Sequence, residues 1–268
     1  MDMLGNKYGT ATGSLPQQDV GTVQVMQHHQ PIRVLEDFTF SDDVAVNLKM
    51  KKDAKSHWVN SMDAGMGFRG NHFLWDFSGL AMRLKDDFQT MLTYKTNNVG
   101  KNISRETEDL FKLDELNDDP TAYIRLAPPT TPYLDKLRTL FNTSHAVSIN
   151  TLKRLSSSSQ TGLQIIYTHE DEKAEGMSRT EYLRQDGNRI VVSNKDFHDK
   201  DNKLYTQWKY EKNGERQYLK NTLIGNFSWD DQRLAETWTW QHLQQTRLPV
   251  YHLKDNLYII RKKKKKLL

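Results

Sequence analysis

The sequence predicts a mainly β protein of the α+β type, with antiparallel sheets, a C-terminal β-meander and two or three helices. Three observations predict it. In "LYTQWKYE", Leu204, Thr206, Trp208 and Tyr210 fall on one face and Tyr205, Gln207, Lys209 and Glu211 on the other, the period of a half-buried strand. Asp186-Gly187 and Asn213-Gly214 are hairpin dipeptides between such runs. Two segments, 132–141 and 229–246, carry apolar residues at helical spacing behind a proline or a serine.

Residues 1–19 are rich in Gly, Thr, Ser and Gln and read as a flexible N-terminus. A β-rich lobe is expected over 20–155. It opens with the alternating runs "VGTVQVMQ" and "DDVAVNLKM". Phe73, Trp75 and Phe77 then alternate, and "FQTMLTYKT" continues as strand. Residues 101–119 are acidic and read as a short helix or a surface insertion. Pro128, Pro129 and Pro132 break the chain before the helix near 132–141. The run "SSSSQTG", 156–162, is the best linker.

A meander is expected over 163–261, with turns at Asp186-Gly187, Asp199–Asn202 and Asn213-Gly214. Ser228 with Asp231 resembles a capping box, so a helix is expected at 229–246 with Leu234 and Trp238 on one face, ended by Pro249. "VYHLKDNLYIIR" reads as strand, turn, strand, and 262–268 as a basic tail.

Composition narrows the function classes. Hydrophobic residues are 36% of 268, against about 45–50% in ordinary globular chains, while 6 Trp, 11 Tyr and 10 Phe supply buried area. No cysteine is present, which removes disulfides and thiolate metal sites and fits a cytoplasmic location. The N-terminus lacks the apolar core of a signal peptide. No run of about 18 apolar residues exists, so no membrane span is expected. The sequons at Asn102, Asn142 and Asn226 read as chance matches. Net charge is +4, and Lys262–Lys266 form one run, leaving a body near neutrality and no broad nucleic-acid footprint.

The candidate chemistry is sparse. Gly65, Gly67 and Gly70 in "GMGFRG" match a dinucleotide fingerprint, but "KSHWVNSMDA" before them is no buried parallel strand and "NHFLWDF" after them alternates like a strand. A glycine-rich connection between strands is the better reading. His28 and His29 are adjacent and point apart in a strand, and His57 and His72 lack visible partners. "DFHDKDN" has oxygen ligands but neither the central Gly nor the terminal Glu of a calcium loop. No elbow, P-loop or zincin motif occurs. No cofactor or metal site is expected, and the catalytic residues, if any, are not legible.

The stretch 178–243, "RTEYLRQDGNRI" through "SWDDQRLAETWTWQHL", resembles the extended β-sheet insert of bacterial glycosyltransferases that decorate wall teichoic acids or serine-rich surface proteins. That resemblance covers about a quarter of the chain and implies a sheet module for acceptor binding or assembly. The retaining members' paired glutamates are missing, and the one D-x-D, Asp199-Lys200-Asp201, lies in an expected turn. The expected function is therefore a non-catalytic module that holds a carbohydrate chain or a partner protein on Trp208, Tyr210 and Tyr218. The alternatives are a nucleic-acid-binding protein using aromatics and the lysine tail, and a β-sandwich hydrolase with a dispersed site.

Overall fold

The computed structural model describes residues 20–27, 29–39, 42, 44–51, 58–85, 87–101, 103, 124–130, 134, 139–183, 187–263 and 266–267. Two antiparallel sheets contain all its strands. The small one pairs β1 (Val20–Met26) with β2 (Ala45–Met50). The large one has nine strands in strict sequence order. They are β3 (Trp58–Arg69), β4 (His72–Leu84), β5 (Phe88–Asn97), β6 (Phe141–Arg154), β7 (Ser159–Tyr182), β8 (Arg189–Asn213), β9 (Gln217–Thr237), β10 (Gln241–Lys263) and β11 (Lys266–Leu267). Each strand pairs only with its chain neighbours, and no pair in this sheet slips register.

The mainly β, antiparallel class and the C-terminal meander are therefore present, but no α-helix stands among the described elements; Arg33–Leu35 is a 3-10 turn, and Thr139 is the one described residue in α-helical conformation. The helix expected at 229–246 is instead the end of β9, a turn at 238–240 and the start of β10. The physical reason is that Leu234 and Trp238 are four residues apart, and that spacing returns to the same side in a strand as well as in a helix. Most of the helix expected near 132–141 lies outside the described residues, as does nearly all of 101–119, and Phe141 already opens β6.

The turn expected at Asp199–Asn202 is also absent. β8 runs unbroken through it for 25 residues. Its polar residues find partners on the neighbouring strands rather than within a turn: His198 and Lys200 with Asp171, Asn202 with Tyr167 and His169, and Asp199 with Gln232. Asp255-Asn256 likewise lies inside β10, where Asp255 accepts from Asn221 Nδ2 at 2.9 Å. Pro249 sits in β10 opposite Trp229, a strand whose other edge is largely unpaired, where a missing N–H costs little. The serine run forms a turn at 156–158 that leads directly into β7. The hairpins at Gly187 (φ 122°) and Gly214 stand where the dipeptides put them. "GMGFRG" finishes β3 and turns at Gly70, φ 60°, into the antiparallel β4, so no helix opens there to receive a phosphate.

Two small clusters of buried apolar side chains hold the sheet. One is Leu80, Met82 and Met91, with Val59 and Leu84 against it. The other is Val34, Tyr218 and Ile260, where Ile32 and Leu35 of the N-terminal segment pack on the sheet. Met91 has no exposed surface. Its replacement by Ala is expected to cost about 2–5 kcal/mol, read as a lowered denaturant midpoint with an unchanged slope.

Candidate functional site: a sheet with two unlike faces

Because the register is unbroken, strand alternation assigns every residue of β3–β10 to one of two faces. The faces differ sharply. The large apolar side chains left exposed in these strands all lie on one of them, apart from Tyr182 and Tyr258. We call it the aromatic face. All the buried apolar residues of these strands lie on the other, and so do the buried polar ones apart from Thr96. This polar face is lined by Ser, Thr, Asn, Gln, Asp and Glu, with Asn142, Ser144, Ser148 and Asn150 on β6 alone.

On the aromatic face, Tyr94, Val147, Tyr167, Leu204, Phe227 and Tyr251 stand opposite one another from β5 to β10. Leu92, Ile149 and Ile165 form part of the row below. Phe227 lies over Gly225, where an added Cβ would come within 2.8 Å of the ring. On β4 the run Phe73, Trp75, Phe77, Gly79, Ala81 extends about 27 Å along the strand at ~3.4 Å per residue. One border of the band is made of aromatic residues with polar tips. Trp229 Nε1 donates to Tyr251 OH at 3.0 Å, Tyr167 OH donates to Asn202 Oδ1 at 2.9 Å, and Tyr94 OH shares a 3.0 Å hydrogen bond with His145 Nδ1.

Charges begin immediately beyond that border. Asp171, Lys200, Asp231 and Arg247 lie opposite one another on β7 to β10 and alternate in sign. His198 and Lys200 reach Asp171 at 2.7 and 3.4 Å, and Arg233 and Arg247 reach Asp231 at 3.3 and 3.1 Å. Burial works to raise the pKa of Asp171, but the hydrogen bond and charge of His198 and the charge of Lys200 outweigh it and hold the carboxyl below its usual range.

The polar face is occupied by the chain itself. The β5–β6 connection starts on it, held by Asn142, whose two Nδ2 hydrogens are shared among Lys101 O (3.1 Å), Asn97 Oδ1 (3.2 Å) and Ser144 Oγ (2.7 Å), while its Oδ1 accepts from Gly100 N at 2.8 Å. Lys101 also pairs with Asp76. Further along, Leu126 N donates to Gln232 Oε1 at 2.9 Å, and Pro129 fills the space above Gly176, where an added Cβ would fall 2.4 Å from the proline ring. Near the N-terminus, Asn213 accepts from Arg33 N and donates to Pro31 O.

The three aromatic residues singled out from the sequence are not brought together. Trp208, 43% exposed, sits on the aromatic face between Leu163 and Leu223, and Tyr210 lies two residues on along the same face. Tyr218 lies on the polar face, 5% exposed, with its hydroxyl donating to Glu211 Oε1 at 3.0 Å. The one-residue phase between β8 and β9 decides this, and that phase is set by the Gly214 turn rather than by any residue type. The continuity of the aromatic face is not legible in the sequence, because a substantial share of its members lie in β3, β6 and the expected helix. The alternation of "SMDAGMGF" in β3 and "HAVSI" in β6 is the signal that carries it.

Among the described residues no cluster of His, Asp or Glu has the geometry of a metal site. No helix among them is long and apolar enough to cross a membrane, a criterion that does not apply to strands. No protein family, curated protein or solved structure matches the chain.

The placement separates two substitutions. Tyr218→Ala is expected to lower stability by about 3–5 kcal/mol, as for other buried aromatics. Trp208→Ala is expected to change it by about 1 kcal/mol or less. Chemical unfolding of both variants, followed by tryptophan fluorescence, checks the contrast.

Proposed function

We propose that this chain forms part of the wall of a membrane β-barrel, with the aromatic face toward lipid and the polar face toward the interior. The observation that carries this reading is the sorting of side chains between the two faces. An antiparallel sheet in water buries its apolar face and wets its polar one. Here the polar face is buried and the apolar face is open, the arrangement that a hydrocarbon solvent requires. Monomers in water rarely expose an apolar patch beyond a few hundred Å², and this one crosses eight strands.

Further features support the reading. The up-and-down order leaves every backbone group between neighbouring strands paired. The band on β4 is close to the ~25 Å lipid-facing height of such barrels. Its border of Tyr, Trp and His side chains fits an interface, where one end of the ring is apolar and the other wet. The two ends of the sheet also differ. One carries only short connections, at 85–87, 155–158 and 214–216, and the other carries the 98–140 connection and the tips of the longest strands. Strands β7 to β10 are 21 to 25 residues long, where about 9–11 suffice to span. They therefore extend beyond the lipid on the side of the alternating charges. Lipid tolerates no open strand edge, so the outer edges of β3 and β10 are covered in the membrane, with Pro249 leaving one position on the β10 edge without a donor.

Refolding the chain into phosphatidylcholine vesicles tests this. The protein is expected to float with the vesicles through a density gradient. Ile149→Arg, near the middle of the band, is expected to cost about 2–4 kcal/mol, a loss of roughly thirtyfold or more in the inserted fraction. Lys200→Ala, beyond the border, is expected to insert normally. A chain that stays monomeric in detergent-free buffer and never floats sinks the reading.

One observation favours a second reading, a non-catalytic assembly module. Trp208 is a half-exposed anchor in an apolar setting, the kind of residue that dominates protein interfaces and stacks on sugar rings. In that case a partner protein or a carbohydrate covers the aromatic face, and Ile149→Arg abolishes partner binding while vesicles are ignored.

A further inference from the structure

The polar face gathers five acids into two adjacent rows. Glu170 on β7, Asp201 on β8 and Asp230 on β9 lie directly opposite one another, and Glu172 and Asp199 occupy the next row toward the long connections. All five stand beyond the aromatic border, level with the alternating charges of the opposite face. Like charges directly opposed across strands are destabilising. The cations facing Asp230 are Lys203, engaged with Asp201, and Arg125 of the 124–130 segment. Glu170 and Glu172 have interactions of their own.

Two of these carboxyls converge on one amide. Gln232 Nε2 donates to Asp199 Oδ2 at 3.2 Å and to Asp230 Oδ2 at 3.1 Å. The amide cannot be turned round, because its Oε1 accepts from Leu126 N. Both hydrogens of one NH₂ group are thus spent on two carboxyls, which fixes them within reach of each other. Their remaining oxygens, Asp199 Oδ1 and Asp230 Oδ1, are out of contact with solvent and accept no hydrogen bond. Asp230 as a whole is 8% exposed. Two ionised carboxylates held this way are unstable together, and one proton between them removes both the repulsion and the unsatisfied acceptors.

We propose that Asp199 and Asp230 share a single proton, and that losing it releases the 124–130 segment from the polar face. The same Gln232 that bridges the pair holds Leu126, so separation of the carboxyls withdraws the segment's anchor. The electrostatics agree. Burial, then the hydrogen bond and charge of Asp199 and the charge of Asp201, push Asp230 up to about 7, with Arg125 pulling weakly the other way. In the opened site, where water reaches the acids, an ordinary aspartate value of about 4 applies. The closed site therefore holds the proton more tightly than the open one. Closure is favoured most below that ordinary value and loses its advantage as pH rises through about 7. This inference rests on the polar face alone and stands whichever partner covers the aromatic face.

Hydrogen exchange of the Leu126 amide in the full chain, in dodecyl maltoside micelles and corrected for intrinsic rate, reads the opening. Between about pH 5 and pH 7 the opening constant is expected to rise roughly a hundredfold, tenfold per unit, and to level off above. Asp230→Asn supplies an N–H in place of the shared proton and is expected to abolish the pH dependence. Asp199→Asn does the same should the first variant not fold. Infrared spectra of the wild-type chain at about pH 6 are expected to show a protonated-carboxyl C=O band that either variant removes. A pH-independent opening constant in the wild type, a pH dependence that survives in the asparagine variants, or absence of that band overturns the proposal.

Discussion

The constraint on which everything else depends is the unbroken two-residue alternation across the large sheet. No bulge interrupts the pairing from β3 to β10. A residue's parity within its strand therefore fixes its face throughout, and a slip of one residue in a single hairpin would move that strand's apolar side chains among the buried acids and amides. Register is consequently held by many small cross-strand terms, each of order 0.2–1 kcal/mol. They include Thr93 with Ser148, Gln160 with Glu211, and Ser193 with Glu236 on the polar face. On the other face they are aromatic and aliphatic contacts, such as Trp229 against Tyr251.

This division explains the low hydrophobic content. A sheet that buries a polar face needs hydrogen-bonding partners there instead of a thick oily core, and the chain supplies them from its own connections. Asn142 and Asn213 show how. Each is a strand residue whose amide reaches into a crossing segment and satisfies backbone groups of that segment. A buried backbone N–H or C=O without a partner would cost more than either bond contributes. The N-terminal segment adds an apolar dock on this side, Val34 against Tyr218 and Ile260.

Much of the fold was legible in the sequence, and the parts that were not share a cause. β8 is legible around Trp208 because large and polar residues alternate cleanly there. Local composition favours a turn at Asp199–Asn202, and the partners that overrule it, Asp171 and Gln232, are distant in sequence. Leu234 and Trp238 misled for a different reason, since separations of four are common to helix and strand. The face assignment of Tyr218 depends on the phase of one hairpin, which no residue type encodes. Lys262, the first residue of the lysine run, continues β10 and pairs with Asp37 of the N-terminal segment. The site itself was beyond reach for the same reason as the false turn: sorting by face requires all seven registers from β3 to β10 at once.

The strict neighbour-to-neighbour order of strands has a consequence for how such a wall changes over time. Among the described strands of the large sheet, each is hydrogen-bonded only to its neighbours in the chain. Duplicating or deleting one hairpin therefore alters the width of the sheet by two strands and threads nothing anew. The parity of the flanking strands survives such an event when the joining turn keeps its length modulo two. Gene rearrangements that respect this rule preserve both faces, and those that break it invert everything downstream. The sheet is in this sense a countable object, and its heritable variable is the number of hairpins.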